Sequence, residues 1–267
     1  MQYEKYYDLC KKEYIKHFPE KEDISIYSSP VEFYESMGMS ATFNNTVAFL
    51  SGEIKNDLDM VEDDLMPKHP NIFKYKNELE ILAEELVPIL EETRYGCFLY
   101  VDKIYIYRTA AIKKRQSSYL WHHDNNPDEI LKNCIYLNEV TEKNSPFEYL
   151  MNKNSEPHVK KSNRTGKNNW VSGNTRIDEE VERLITDHGY VPNKVTGSRG
   201  LITSFLNNVA HRANPAIEGY RDVINIRVKP TLVKPPEYIN KKWTTSFESP
   251  GVVNKDPQKD WRTDIEL

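Results

Sequence analysis

Apolar positions recur with a helical period at the start of the chain and with a strand period further on. Over 2–18, Tyr3, Tyr6, Tyr7, Cys10, Tyr14 and Phe18 return every three to four residues with Lys and Glu between them. That spacing places the rings on one face of an amphipathic helix and the charges on the other. A second helix is predicted over 76–93, where Leu79, Ile81, Leu82, Ala83 and Leu86 are interleaved with Glu. Pro88 is expected to kink or divide it, because proline donates no N–H and crowds the preceding turn. From residue 96 the pattern turns β-branched and aromatic, over 96–109 and again over 134–140, 200–205 and 222–228. The expected fold is therefore mainly β with flanking helices: a helical part at 1–95 packs outside a β core at 96–230.

Two stretches break this pattern. Residues 152–192 form a long polar insertion ending in a predicted helix at 178–187, and an insertion of that length inside a compact domain is usually functional or disordered. Its cations Lys160, Lys161, Arg164 and Lys167 would either cover a pocket and draw in an anion or belong to a solvated loop. After the core, 231–267 carries Pro235, Pro236, Pro250 and Pro257 with Trp243 and Trp261. This reads as an extended strap whose tryptophans dock on the same domain or on a neighbouring subunit, so an oligomer formed through the strap is one expectation.

Composition narrows the class. A chain of 267 residues, 38% of them hydrophobic, can bury a full core as one domain over 1–267. The net charge of −5 lacks the basic balance of a nucleic-acid binder, so no nucleic acid is expected as a partner. The polar start and the lack of any run near ~20 apolar residues predict a cytoplasmic protein with no membrane segment. Cys10, Cys97 and Cys134 are odd in number and lack paired metal spacing, which fits a reducing compartment.

The candidate chemistry lies in three segments: Trp121-His122-His123-Asp124, then 204–211 ending in Val209-Ala210-His211, then Gly219-Tyr220-Arg221. On extended backbone His122 and Asp124 share a face while His123 points away. With His211 they supply two imidazoles and a carboxylate, a ligand set that suits non-haem Fe(II) and leaves coordination positions open. Arg221 follows His211 by ten residues and opens a β-rich run, so its planar fork is placed to hold a carboxylate such as that of 2-oxoglutarate. Arg227, of the same parity, is the second choice. A His-x-Asp pair also arises by chance in exposed loops.

The text around these segments sharpens the picture. Leu131-Lys132-Asn133-Cys134-Ile135-Tyr136-Leu137-Asn138-Glu139-Val140 and Gly219-Tyr220-Arg221-Asp222-Val223-Ile224 resemble the phytanoyl-CoA dioxygenase superfamily of Fe(II)/2-oxoglutarate-dependent oxygenases, over roughly 97–230. The resemblance implies a double-stranded β-helix (jelly-roll, cupin-like) core, with His122, Asp124 and His211 as both metal ligands and catalytic centre and Arg221 on the distal carboxylate of 2-oxoglutarate. It also implies co-substrate contacts from the strand after His-x-Asp, here Cys134 and Tyr136. Many members carry a hydroxyl two positions after the second histidine, where this chain has Ala213; Tyr105 or Tyr107 would supply that hydrogen bond instead. Over 144–150 the chain departs from the family, where substrate loops lie.

The implied reaction uses Fe(II), 2-oxoglutarate and O2 to hydroxylate a small-molecule substrate, polar or anionic, with release of succinate and CO2. Asp124 disfavours halogenation, while desaturation and ring formation stay open. Two other readings remain: a catalytically silent binding protein of the same fold, and a cupin-like metalloenzyme that does without 2-oxoglutarate.

Overall fold

The computed structural model describes residues 3–21, 29–58, 69, 71–124, 130–159 and 176–232. Helix α1 (Tyr3–His17) is followed by strand β1 (Val31–Tyr34), helices α2 (Ala41–Asp57) and α3 (Lys76–Leu90), and strands β2 (Leu99–Thr109), β3 (Leu131–Tyr136) and β4 (Phe147–Met151). Helix α4 (Asp178–His188) then leads into β5 (Val191–Val195), β6 (Ile202–Leu206), β7 (His211–Ala213) and β8 (Arg221–Pro230). The strands form a five-stranded sheet, order β1-β6-β3-β8-β2, and a three-stranded sheet, order β5-β4-β7, with every pairing antiparallel. The mainly β architecture with flanking helices is as the sequence predicts.

Alternation along the large sheet decides what meets the site. Ile104, Ile106, Leu131, Ile135, Ile224 and Ile226 face outward into one apolar cluster with Phe43, Leu50, Leu79, Leu82 and Leu86 of α2 and α3. Cys134, Tyr136 and Val223 belong to a second cluster with Phe147 and Tyr149 of the small sheet, so the opposite face looks between the sheets. The register shifts between Val101 and Lys103, the mark of a β-bulge.

Several local outcomes differ from expectation. Pro88 does not divide α3: the helix runs through it to Leu90 and then widens into a π-helical turn at Glu91–Tyr95, closed by Gly96 at φ 59°. An interior proline costs about 3 kcal/mol, whereas each fully buried Leu or Val contributes roughly 1.5–3 kcal/mol. Leu79, Leu82, Leu86, Val87 and Leu90 are all fully buried on this helix, so packing outweighs the lost bond. Helix α2 and strands β1, β4 and β5 were not anticipated. Helix α2 had a legible start, since Ser40 Oγ accepts from Phe43 N at 3.1 Å as an N-cap and Phe43, Val47, Leu50 and Ile54 follow at helical spacing. The insertion contains α4 where a helix was expected; Lys160, Lys161, Arg164 and Lys167, and the strap beyond residue 232, lie outside the described residues.

Candidate metal centre

His122 lies outside any regular strand. It forms single bridges with Arg176 and with His211 at the start of β7. His122 N donates to His211 O at 3.0 Å and His211 N returns the bond to His122 O at 2.9 Å, while Asp124 N donates to Asn207 O at 2.8 Å. These backbone bonds hold the two distant segments together, and they bring His122, Asp124 and His211 into one group whose ligand atoms lie within 4.8 Å of one another. His123 is not part of that group.

The imidazoles are set up for a metal. His122 Nδ1 lies 2.8 Å from Leu120 O, and His211 Nδ1 lies 2.8 Å from Val209 O. A carbonyl only accepts, so each ring holds its proton on Nδ1 and keeps the Nε2 lone pair for a cation. Burial pushes the His122 pKa down to about 3, helped by the neighbouring His211, and burial pushes His211 down to about 4. Both rings are therefore neutral near pH 7, the state that binds metal. Burial would raise the Asp124 carboxyl, but Lys132 first, then His211 and His122, hold it well below the usual carboxylate range. Lys132 Nζ donates to Asp124 Oδ2 at 2.6 Å. Two neutral imidazoles and an ionised carboxylate on one side of a cavity fit a divalent iron.

That cavity, about 270 Å³, is lined by Lys103, Tyr105 and Tyr107 of β2, Lys132 of β3, Phe147 of β4, Phe205 of β6, Arg212 of β7, and Arg221, Asn225 and Arg227 of β8, besides the metal group. Arg221 is 2% exposed. Its Nε donates to Thr109 Oγ1 at 3.1 Å, and its guanidinium lies 5.7 Å from the centre of the Tyr136 ring. No carboxylate among the described residues pairs with it. Arg212, by contrast, donates to Glu148 Oε2 and stacks on Trp121 at 4.4 Å.

No protein-family model matches the chain, and no curated protein matches it. Among solved structures, EctD from S. alaskensis with 2-oxoglutarate and 5-hydroxyectoine aligns at 18% identity over 76% of this chain and 72% of that one, with TM-score 0.52. The epimerase SnoN in complex with Fe3+, alpha ketoglutarate and nogalamycin RO aligns at 12% identity over 84% of this chain and 83% of that one, with TM-score 0.51. The chain has their fold. The two antiparallel sheets are thus a double-stranded β-helix, the jelly-roll core of such oxygenases, and the metal group lies between its sheets.

Within this jelly roll the predicted site residues fall into two sets. His122, Asp124, His211, Arg221, Tyr105 and Tyr107 all line the cavity. Cys134 and Tyr136 are buried beside it without lining it: Cys134 Sγ accepts from Asn225 Nδ2 at 3.1 Å, and Tyr136 OH donates to Val195 O at 2.9 Å. The hydroxyls that meet Arg221 are those of Thr109, which accepts from Nε, and Tyr136, whereas Tyr107 OH lies 3.8 Å from Cys134 Sγ. Sequence reasoning also passed over Thr109, Arg212, Phe147, Phe205, Lys103 and Asn225. For Lys103 and Asn225 a signal existed, since they share strand parity with Tyr105 and Arg221.

Proposed function

We propose that the protein is an Fe(II)- and 2-oxoglutarate-dependent dioxygenase that hydroxylates a small polar or anionic molecule, releasing succinate and CO2. The observation that carries this reading is Arg221, a buried guanidinium that lines the cavity of the His122–Asp124–His211 group with no carboxylate partner among the described residues. Burying such a charge alone costs several kcal/mol, so a site that keeps it is built for an anion. The 2-oxoglutarate in the EctD structure, and the Fe3+ and alpha ketoglutarate in the SnoN structure, support the same ligands here.

In this reading His122 and His211 bind iron through Nε2, and Asp124 binds it through its carboxylate. Iron and 2-oxoglutarate, when bound, supply the oxidising power that puts an oxygen atom from O2 into a C–H bond. The protein's own residues do the positioning. Arg221 holds the distal carboxylate through its fork, and Thr109 fixes that fork by accepting from Nε. The carbonyls of Leu120 and Val209 lock both imidazole tautomers. Phe147 and Phe205 pack on His211, with ring centres 5.6 Å and 4.9 Å away, and exclude water from that side.

Anaerobically purified protein given Fe(II), ascorbate and 2-oxoglutarate, then oxygen, tests the assignment by succinate release with and without a pooled metabolite extract. Fe(II)-dependent succinate that rises with extract is expected. Iron binding without any 2-oxoglutarate binding would favour a cupin-like metalloenzyme, and binding of neither would favour a silent fold.

A further inference from the structure

We propose that the outer end of this cavity is a second anion subsite, formed by Lys103, Lys132 and Arg227, which takes a carboxylate or phosphate carried by the substrate. The inference rests on the dioxygenase reading, in which Arg221 serves the co-substrate and leaves the substrate to be held by other groups.

The strand register creates the subsite. Arg227 on β8 is the cross-strand partner of Lys103 on β2 and of Lys132 on β3, so three cations stand side by side in one row. All three line the cavity. An anion lying over the row would meet three positive side chains at once. The bulge in β2 contributes to the row. Ile104 and Val101 both face the outer apolar cluster, and the extra residue before Lys103 lets Lys103 keep the parity of Tyr105 and Tyr107, toward the cavity.

Placement separates this row from the co-substrate anchor. Arg221 and its partner Thr109 are buried, while Lys103, Lys132 and Arg227 are all half-buried, so the row marks the more open end. Arg227 stands six residues beyond Arg221 on β8, about 20 Å of extended strand. One step inward from the row, Asn225 lines the cavity with Oδ1 buried and without a hydrogen-bond partner. It offers a substrate N–H or O–H an acceptor between the acidic group and the metal centre. Lys132 also donates to Asp124, so the row abuts the metal group, and a substrate anchored there presents the carbons nearest its acidic group to the iron. The electrostatics agree: among the described lining residues five are Lys or Arg, and Asp124 is the only carboxylate.

The test is calorimetric titration of the full chain with inorganic phosphate and with propionate, on metal-free protein and on the anaerobic Fe(II)–2-oxoglutarate complex. Lys103→Ala/Arg227→Ala, which removes two charge-assisted contacts, should weaken either probe by about tenfold or more and leave 2-oxoglutarate affinity within about twofold. Arg221→Met should show the reverse pattern, and Arg227→Lys should restore most probe binding. Unchanged melting of the variants checks their folding, and Lys103→Gln alone serves if the double variant unfolds. Equal probe binding by wild type and variant, no probe binding by wild type, or a loss of 2-oxoglutarate affinity in the double variant as large as in Arg221→Met would each overturn the subsite. If wild type binds no 2-oxoglutarate yet loses phosphate binding on Lys103→Ala/Arg227→Ala, the dioxygenase reading fails and the anion subsite stands.

Discussion

Replacing Arg221 by Met should make the ligand-free protein more stable while it removes 2-oxoglutarate binding. The guanidinium is 2% exposed, its Nε has the neutral Thr109 hydroxyl as partner, and no carboxylate among the described residues offsets its charge. Exchanging buried ionic groups for well-packed apolar ones of similar volume often stabilises by about 1–4 kcal/mol. For a chain of this size each kcal/mol is worth about 2–4 °C, so the melting temperature should rise by roughly 2–16 °C. Wild type should recover the deficit when its anion arrives: at 2-oxoglutarate one hundred times above Kd the gain is about 2.7 kcal/mol. Differential scanning calorimetry of Fe(II)-loaded protein under anaerobic conditions, with and without 2-oxoglutarate, measures both effects. A variant that melts below ligand-free wild type, or that still shifts with 2-oxoglutarate, would refute the reasoning.

His211→Ala should abolish stoichiometric iron retention after anaerobic dialysis, because one of three ligands is lost; a full equivalent of iron by metal analysis would count against the site. Asp222→Ala should cost about 3–5 kcal/mol in urea denaturation. It takes the Asp222 carboxylate from Arg108, which donates to both of its oxygens at 2.7 Å and is itself buried under α2, with the carbonyls of Leu58 and Lys55 as further acceptors. Arg108→Met/Asp222→Leu should regain most of that loss, since burial already raises the Asp222 carboxyl despite Arg108; a double variant worse than the single would contradict this. The metal-free protein should lose stability as pH falls from about 6.5 toward 4 and then 3. In that window the unfolded histidines take up protons while native His211 and His122 stay neutral down to about 4 and about 3, so the unfolded state binds more protons. Below the ordinary carboxyl pKa, the depressed Asp124 adds loss of the same sign. Urea midpoints that do not change between pH 7 and pH 4.5 would be the contrary result.

The elements that were legible in the sequence are those whose signal is local. The Cys10–Tyr14 spacing of α1, the Glu/Leu period of α3 and the β-branched runs of β2 and β8 each express one chain segment meeting one apolar surface. Strands β1, β4 and β5 span only four or five residues, too short for alternation to be distinguished from loop. The assignment of His122 over His123 from strand parity reached the residue that joins the metal group, although His122 sits on isolated bridges outside a regular strand. Two backbone bonds to His211 are enough to extend the segment locally.

The sequence by itself determined the chemistry available: two histidines and an aspartate at telling spacings, an arginine at the head of a strand, and alternation that faces Tyr105 and Tyr107 one way and Ile104 and Ile106 the other. Only the tertiary structure decided which of these groups meet. Thr109 reaches Arg221 across 112 residues of chain, Lys132 reaches Asp124 from the next strand, and Lys103, Arg227 and Lys132 fall into one row. Side-chain direction along a strand follows from that strand's own backbone geometry, whereas the neighbour across the ladder depends on register. Register is set by bulges, by crossovers and by the closure of both sheets around one core, which no local window of sequence contains.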